Sequence, residues 1–208
     1  MAFALANLEE TLQFGRSMAE VLCQCRFSEG LIIGLNGPLG AGKTALVKSV
    51  GAALGVKEMI SSPTFTMLNE YHSGRLPLYH LDLYRAREDA ASSLDFLAME
   101  LDELLAEKNA DGFYPVAFIE WSSYFEVNGE PYLGGADGRD HLSIEISFSK
   151  AYIKEYRQAG EDRQELADVA SVASIAEGRI FDLKSHGEDS RLLLGALEKA
   201  EAGKLINL

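Results

Sequence analysis

Leu31-Ile32-Ile33-Gly34-Leu35-Asn36-Gly37-Pro38-Leu39-Gly40-Ala41-Gly42-Lys43-Thr44 is the stretch that decides the fold. The apolar run at 31–35 suits a short buried strand. Residues 37–44 then read G-x-x-x-x-G-K-[ST], and residues 44–54 have a helical pattern that Gly55 is placed to end. A strand, a Gly-rich loop and a helix in this order make a phosphate-binding loop. Glycines let the loop wrap with its N–H groups pointing inward, where a polyphosphate accepts them. The helix start adds a positive dipole end. Lys43 would reach the β- and γ-phosphates as a point charge, and Thr44 would give its hydroxyl to Mg²⁺. The candidate nucleotide-binding positions are Gly37, Leu39, Gly40, Ala41, Gly42, Lys43, Thr44 and Ala45.

Working outward, Asn7 with Glu10 three residues on is a helix start signal. Leu8, Leu12, Ala19 and Leu22 then recur at helical spacing, which predicts a helix over 8–25. Downstream, residues 65–71 and 76–83 read as two strands around the turn 72–75, a β-hairpin. Residues 88–108 are helical in pattern and acidic, the mark of a solvated face. Residues 115–119 form another buried-strand run. Residues 141–148 alternate with Leu142, Ile144, Ile146 and Phe148 on one face, a half-buried strand. The Gly-rich stretch 127–139 reads as a loop, 164–173 as strand or helix, and 190–199 as a terminal helix. Helices alternating with strands predict an α/β fold. The predicted division is a P-loop domain over 1–150 and a C-terminal extension over 151–208, packed on the same domain.

Acids at the ends of apolar strands are the natural Mg²⁺ and water-handling groups beside such a loop. Glu120 ends the run 116–119, and Asp82 lies late in the strand 76–83; either can hold Mg²⁺ through water or orient an attacking water. The hydroxyls of 61–66 lie between the P-loop helix and the hairpin. Spacing alone makes them a turn before a strand. No Asn-Lys-x-Asp signature follows, which disfavours a Ras-like GTPase and leaves ATP by elimination.

Charge narrows the partners. The chain has 208 residues, 19 Lys+Arg and 32 Asp+Glu, a formal net charge of −13. Nucleic-acid affinity comes mostly from cations neutralising phosphates, so direct tight nucleic-acid binding is not expected. An acidic surface suits a basic protein partner. No long apolar run or basic leader is present, so neither a membrane span nor a signal peptide is expected. Cys23 and Cys25 stand as C-x-C within a helix, where a mutual disulfide would be strained. The chain therefore reads as cytoplasmic.

Four segments together resemble the bacterial TsaE family (also called YjeE): GPLGAGKT at 37–44, SSPTFTMLNEY at 61–71, YHLDLYR at 79–85 and IEW at 119–121. The resemblance spans about residues 5–150. It implies a P-loop NTPase three-layer α/β sandwich with a central, mostly parallel sheet plus the β-hairpin, ATP/ADP as nucleotide, and Mg²⁺ served by Thr44 and Glu120. It also implies Lys43 and Asp82 as catalytic groups, a switch-like loop with Ser62, Thr64 and Thr66, and Thr11 near the nucleotide. Trp121 would follow the Mg²⁺ acid, and a basic residue from the C-terminal end, Arg163 as candidate, would approach the nucleotide. The implied role is ATP hydrolysis on the TsaB–TsaD complex, which makes N6-threonylcarbamoyladenosine at position 37 of tRNA. The chain departs from the family in about 50 additional residues, a longer loop at 127–139, and Ser122 where proline usually follows IEW. Two other readings stay open. One is a small-molecule kinase with Arg85 and Arg87 clamping the transferred phosphate; the other is a non-hydrolytic ATP/ADP switch.

Overall fold

The computed structural model describes residues 1–87, 91–134, 139–149 and 178–206. In chain order the main elements are β1 (Ala2–Leu5), α1 (Leu8–Gln24), β2 (Leu31–Asn36), α2 (Lys43–Leu54), β3 (Leu68–Tyr71) and β4 (Leu78–Asp82). They continue with α3 (Ala91–Ala106), β5 (Val116–Glu120), β6 (Glu126–Val127), β7 (Glu130–Pro131), β8 (His141–Phe148), β9 (Arg179–Ser185), α4 (Glu188–Ala200) and β10 (Leu205–Ile206). Eight strands form one sheet in the order β10-β1-β9-β8-β2-β5-β4-β3. The central strands β8, β2, β5 and β4 are parallel. The flanks are antiparallel: the expected hairpin β3–β4 on one side, and β9, β1 and β10 on the other.

Strand alternation builds the two faces. Leu31, Ile33 and Leu35 of β2 join Val116 and Phe118 of β5, Leu78 of β4, and α1, α2 and α4 in one core. Ile32, Ala117, Ile119, Tyr79 and Leu81 face the opposite way and are covered by Leu94, Leu97, Leu101 and Leu105 of α3. The result is three layers, as the family resemblance implies.

Several predicted boundaries move for local reasons. Helix α1 is capped by the Asn7 side chain, which accepts from the Glu10 N–H at 2.9 Å, while Glu10 accepts from the Ala6 N–H at 2.7 Å. Its buried stripe runs through Thr11, Phe14, Met18 and Leu22, not through Leu8, which is half exposed. The helix thus rolls to bury Phe14 against Phe3 and Phe181. Strand β3 starts at Leu68 rather than 65, because the N–H groups of Thr66 and Met67 both turn back to the Pro63 carbonyl and Met67 takes φ 64°. Within the stretch read as loop, Asn128 and Gly129 both have positive φ and close the small hairpin β6–β7, a type I′ signature. The acidic face of α3 is not only solvated. Asp102 accepts from Tyr132 Oη and from Arg139, each at 2.5 Å, tying down the segment after β7.

Strands β1, β9 and β10 are not foreseen by the sequence reading. Residues 164–173, with Arg163, lie outside the described residues.

At the end of β8 opposite the P-loop, the His141 ring stacks on His186 at 4.2 Å and its Nδ1–H donates to the Arg139 carbonyl at 2.8 Å. Burial pushes the His141 pKa below the usual imidazole value and the neighbouring His186 adds to this, against the Arg139 carbonyl and Asp140. Below about pH 6.5 the unfolded chain therefore binds protons that the folded His141 refuses, and stability falls as pH falls through that window. Melting curves between about pH 7.5 and about pH 5 should show a shallower decline for His141→Gln than for the parent chain. Parallel slopes would remove His141 from the account.

Candidate active site

Parity places the chemistry. In β4, Leu78, His80 and Asp82 point to the α1–α2 side; in β5, Val116, Phe118 and Glu120 do the same. Asp82 and Glu120 are register partners at the C-terminal ends of these parallel strands. Both end beside the loop that leaves β2, the position in an open α/β sheet where ligands sit. The loop seats tightly. Gly37 has φ +135°, and a Cβ there would run into the Ile146 carbonyl oxygen, so only glycine fits. Gly42, at the N-cap of α2, is also left-handed.

A cavity of about 370 Å³ opens above the loop. Its lining brings together Leu39, Gly40, Gly42, Lys43, Thr44 and Ala45 from the loop and α2. Opposite them stand Ser62, Thr64, Asp82, Tyr84, Glu120 and Trp121. The Lys43 ammonium is buried; it donates to the Gly37 and Pro38 carbonyls at 2.7 and 3.0 Å and lies 3.8 Å from the centre of the Trp121 ring. Burial lowers its pKa, while Glu120, Asp82 and Glu145 oppose that shift. Thr44 Oγ1 donates to Glu120 Oε1 at 2.7 Å. The Asp82 carboxylate is fully engaged. Its Oδ2 accepts from Ser62 Oγ at 2.8 Å and Thr64 Oγ1 at 2.6 Å, and its Oδ1 accepts from the Tyr84 N–H at 3.0 Å.

Trp121 holds the rim. It has φ 59°, its N–H donates to the Leu35 carbonyl at 2.8 Å, and its ring packs between those of Tyr84 and Tyr124. Ser122 is buried against β2, where a Cβ on Gly34 would meet its Oγ at 2.7 Å. A small residue therefore fits after Trp121.

Not every candidate converges. Thr66 turns away and donates to Asn69 Oδ1 at 3.1 Å. Thr11 is fully buried behind the loop; its methyl would lie 3.9 Å from a Cβ at Gly42, and its hydroxyl donates to the Asn7 carbonyl. Gly37 and Ala41 support the loop from below: Gly37 through its carbonyl to Lys43, Ala41 through its carbonyl to Arg179 Nε at 2.9 Å. Arg179, which braces the loop without lining the cavity, and Tyr84 of the lining are residues the sequence reading misses. Arg179 stands at the start of β9, far along the chain, and reaches the loop through the pairing of β9 with β8. Local spacing carries no signal for it. Arg85 lies over the Phe65 ring, 5.2 Å from its centre, and does not line the cavity.

A four-strand parallel centre with this loop between its first strand and the following helix defines a P-loop α/β protein. The family model for the threonylcarbamoyl adenosine biosynthesis protein TsaE matches residues 5–158, and the chain belongs to that family. It is 50% identical over 91 residues to the tRNA threonylcarbamoyladenosine biosynthesis protein TsaE of Nostoc sp. strain PCC 7120, a match covering 44% of this chain and 53% of that protein. It is 52% identical over 85 residues to the protein of the same name from Synechocystis sp., covering 41% and 51%. The chain thus spans about half the length of these curated relatives. The fold is also similar to the crystal structure of Bacillus subtilis YdiB, with TM-score 0.58 at 23% identity over 96% of this chain and 94% of that one.

Proposed function

We propose that this chain is an ATP-binding and ATP-hydrolysing subunit of the machinery that makes N6-threonylcarbamoyladenosine in tRNA, acting on the TsaB–TsaD complex. The names of its relatives support the pathway. The observation that carries the chemistry is the convergence of Lys43, Thr44, Asp82 and Glu120 on one cavity at the strand ends.

The roles follow from donor and acceptor chemistry. Loop N–H groups and Lys43 take the phosphate oxygens. Thr44 Oγ1 and Glu120 Oε1, 2.7 Å apart, are both hard oxygen donors of the kind Mg²⁺ takes. They would hold that ion, which supplies charge neutralisation at the phosphates. Asp82 is the remaining carboxylate on the cavity wall and is assigned to orienting the attacking water. Ser62 and Thr64, bonded to Asp82 here, belong to the segment that answers to the nucleotide. Among the described residues, Arg179 from the C-terminal part of the chain meets the loop at the Ala41 carbonyl. A net charge of −13 favours a protein partner over direct tRNA binding. Among the described residues no helix is long and apolar enough to cross a membrane, and on this reading the chain works in the cytoplasm. Of the two arginines of the kinase reading, Arg85 lies outside the cavity, and the Arg87 side chain lies outside the described residues.

The test is Mg²⁺-dependent ATP hydrolysis by the purified chain, with and without TsaB–TsaD from the same source. A slow rate alone that rises at least about tenfold with the complex, a change of about 1.4 kcal/mol in barrier, is the expected result. A rate indifferent to the complex would remove the proposed role and leave the P-loop chemistry.

A further inference from the structure

We infer that His80 is a positioning residue: its Nε2–H fixes the Glu120 carboxylate that faces Thr44. The inference rests on the proposed reading in one respect, that Thr44 and Glu120 serve Mg²⁺.

His80 sits in the middle of β4 and is completely buried. Its Nε2 lies 2.9 Å from Glu120 Oε1, the same oxygen that accepts the Thr44 hydroxyl at 2.7 Å. Its Nδ1 is buried with no hydrogen-bond partner, which holds for no other buried side-chain nitrogen or oxygen among the described residues. This asymmetry assigns the ring proton. An N–H at Nδ1 would have no acceptor, whereas an N–H at Nε2 meets a carboxylate oxygen. The proton therefore belongs on Nε2.

A histidine in this place is a poor choice for packing alone. The neighbouring β4 side chains Leu78 and Leu81 are buried without any polar atom to satisfy, while the imidazole leaves Nδ1 orphaned. An orphaned polar atom in the core is retained when its other end does something an apolar side chain cannot. Here that is one donated hydrogen bond to Glu120. Two donors on a single oxygen fix the direction of the carboxylate. One of them, the Thr44 hydroxyl, is itself a proposed Mg²⁺ ligand, so its hold on Glu120 is one a shared ion would loosen. The histidine's hold is independent of the ion. Groups that orient a metal ligand in this way typically change metal affinity about 10- to 100-fold when removed.

Two variants and one metal-free measurement test this. His80→Leu removes the donor and keeps an apolar core; His80→Gln returns an N–H of similar reach. Calorimetric titration of ADP is run in EDTA and across a Mg²⁺ series. For His80→Leu the Kd for ADP in EDTA should stay within about twofold of the parent, while the Mg²⁺ needed for half of the Mg²⁺-induced change rises about tenfold or more. His80→Gln should recover most of that loss. In the parent chain, free of metal and nucleotide, ring nitrogen–proton correlation spectra should find the His80 proton on Nε2. A ring proton on Nδ1 would overturn the inference, and does so even if His80→Leu fails to fold. So would an unchanged Mg²⁺ requirement in His80→Leu, or a His80→Gln no better than His80→Leu. A parent chain whose ADP binding ignores Mg²⁺ would overturn the metal reading itself. That result is told apart because it appears before any substitution.

Discussion

Lys43→Ala is expected to abolish ATP and ADP binding at micromolar protein. The cavity wall carries two carboxylates, Asp82 and Glu120, and among the described residues Lys43 is the cation that lines it with them. A polyphosphate entering the cavity of the alanine variant would meet both acids with no ammonium to offset them. At an effective dielectric constant of about 20, one unit charge about 4 Å from another contributes about 4 kcal/mol. A loss of that size weakens binding about a thousand-fold. The ammonium is also desolvated in advance: it is buried, its pKa is pushed down by that burial, and the Gly37 and Pro38 carbonyls and the Trp121 ring hold it. A phosphate would exchange those contacts for stronger charge-assisted ones. Lys43→Arg should not restore binding, because a planar fork does not fit where a compact ammonium sits between two loop carbonyls. Trp121 is the one tryptophan of the chain, so its fluorescence reports the titration directly. Lys43→Ala with a Kd for ADP near that of the parent would remove the loop from the binding account.

The parts of this site that the sequence makes legible are those where strand and loop grammar coincide. The apolar run 31–35, the glycine spacing of 37–42 and the acids at the ends of two further runs lie close together in sequence or end recognisable strands. Parallel pairing then brings Asp82 and Glu120 into register. The Ser62 and Thr64 hydroxyls are not legible by spacing, since a turn before a strand looks the same; only the resemblance marks them. Thr66 belongs to the same motif yet faces Asn69, because the turn on the Pro63 carbonyl rotates the chain between 64 and 67. Arg179 is separated from Ala41 by 138 positions, and no local pattern encodes a contact of that range. Strand β1 is four residues long with no clear alternation before a helix cap, and β10 is shorter still. Both acquire strand character from their partners rather than from their own residues. By contrast, Asn128-Gly129 between Glu126–Val127 and Glu130–Pro131 is a hairpin signal present in the sequence. It is masked there by the surrounding glycines. His80 is legible in hindsight from parity, because it lies two residues before Asp82 and so on the same face of β4.

Asp82→Asn is expected to lower ATP hydrolysis about 100- to 1,000-fold while leaving the Kd for ATP within about threefold of the parent chain, the loss typical of removing a group that handles a proton or a water in the transition state. The separation of the two effects follows from the contacts of Asp82. None of its three hydrogen bonds goes to the loop 37–44; they come from Ser62, Thr64 and the Tyr84 N–H. Asparagine keeps the carbonyl oxygen for the Tyr84 N–H and presents its amide to the two hydroxyls, which can accept instead of donate. The segment 62–64 therefore stays in place and the cavity keeps its shape. What is lost is a negative charge able to draw a proton toward the wall. Removing that charge also relieves repulsion of a bound γ-phosphate, so ATP should bind no more weakly and a shade more tightly than to the parent. The outcome discriminates between roles that a simple loss of activity would merge. Loss of binding equal to the loss of turnover would make Asp82 a structural brace for the 62–64 segment. Unimpaired turnover would shift the water-handling role to Glu120, the other acid at the strand ends. An Asp82→Asn chain that hydrolyses no ATP yet fully supports tRNA modification by TsaB–TsaD would turn the protein into a nucleotide switch whose bound state, not its bond cleavage, acts on the partner.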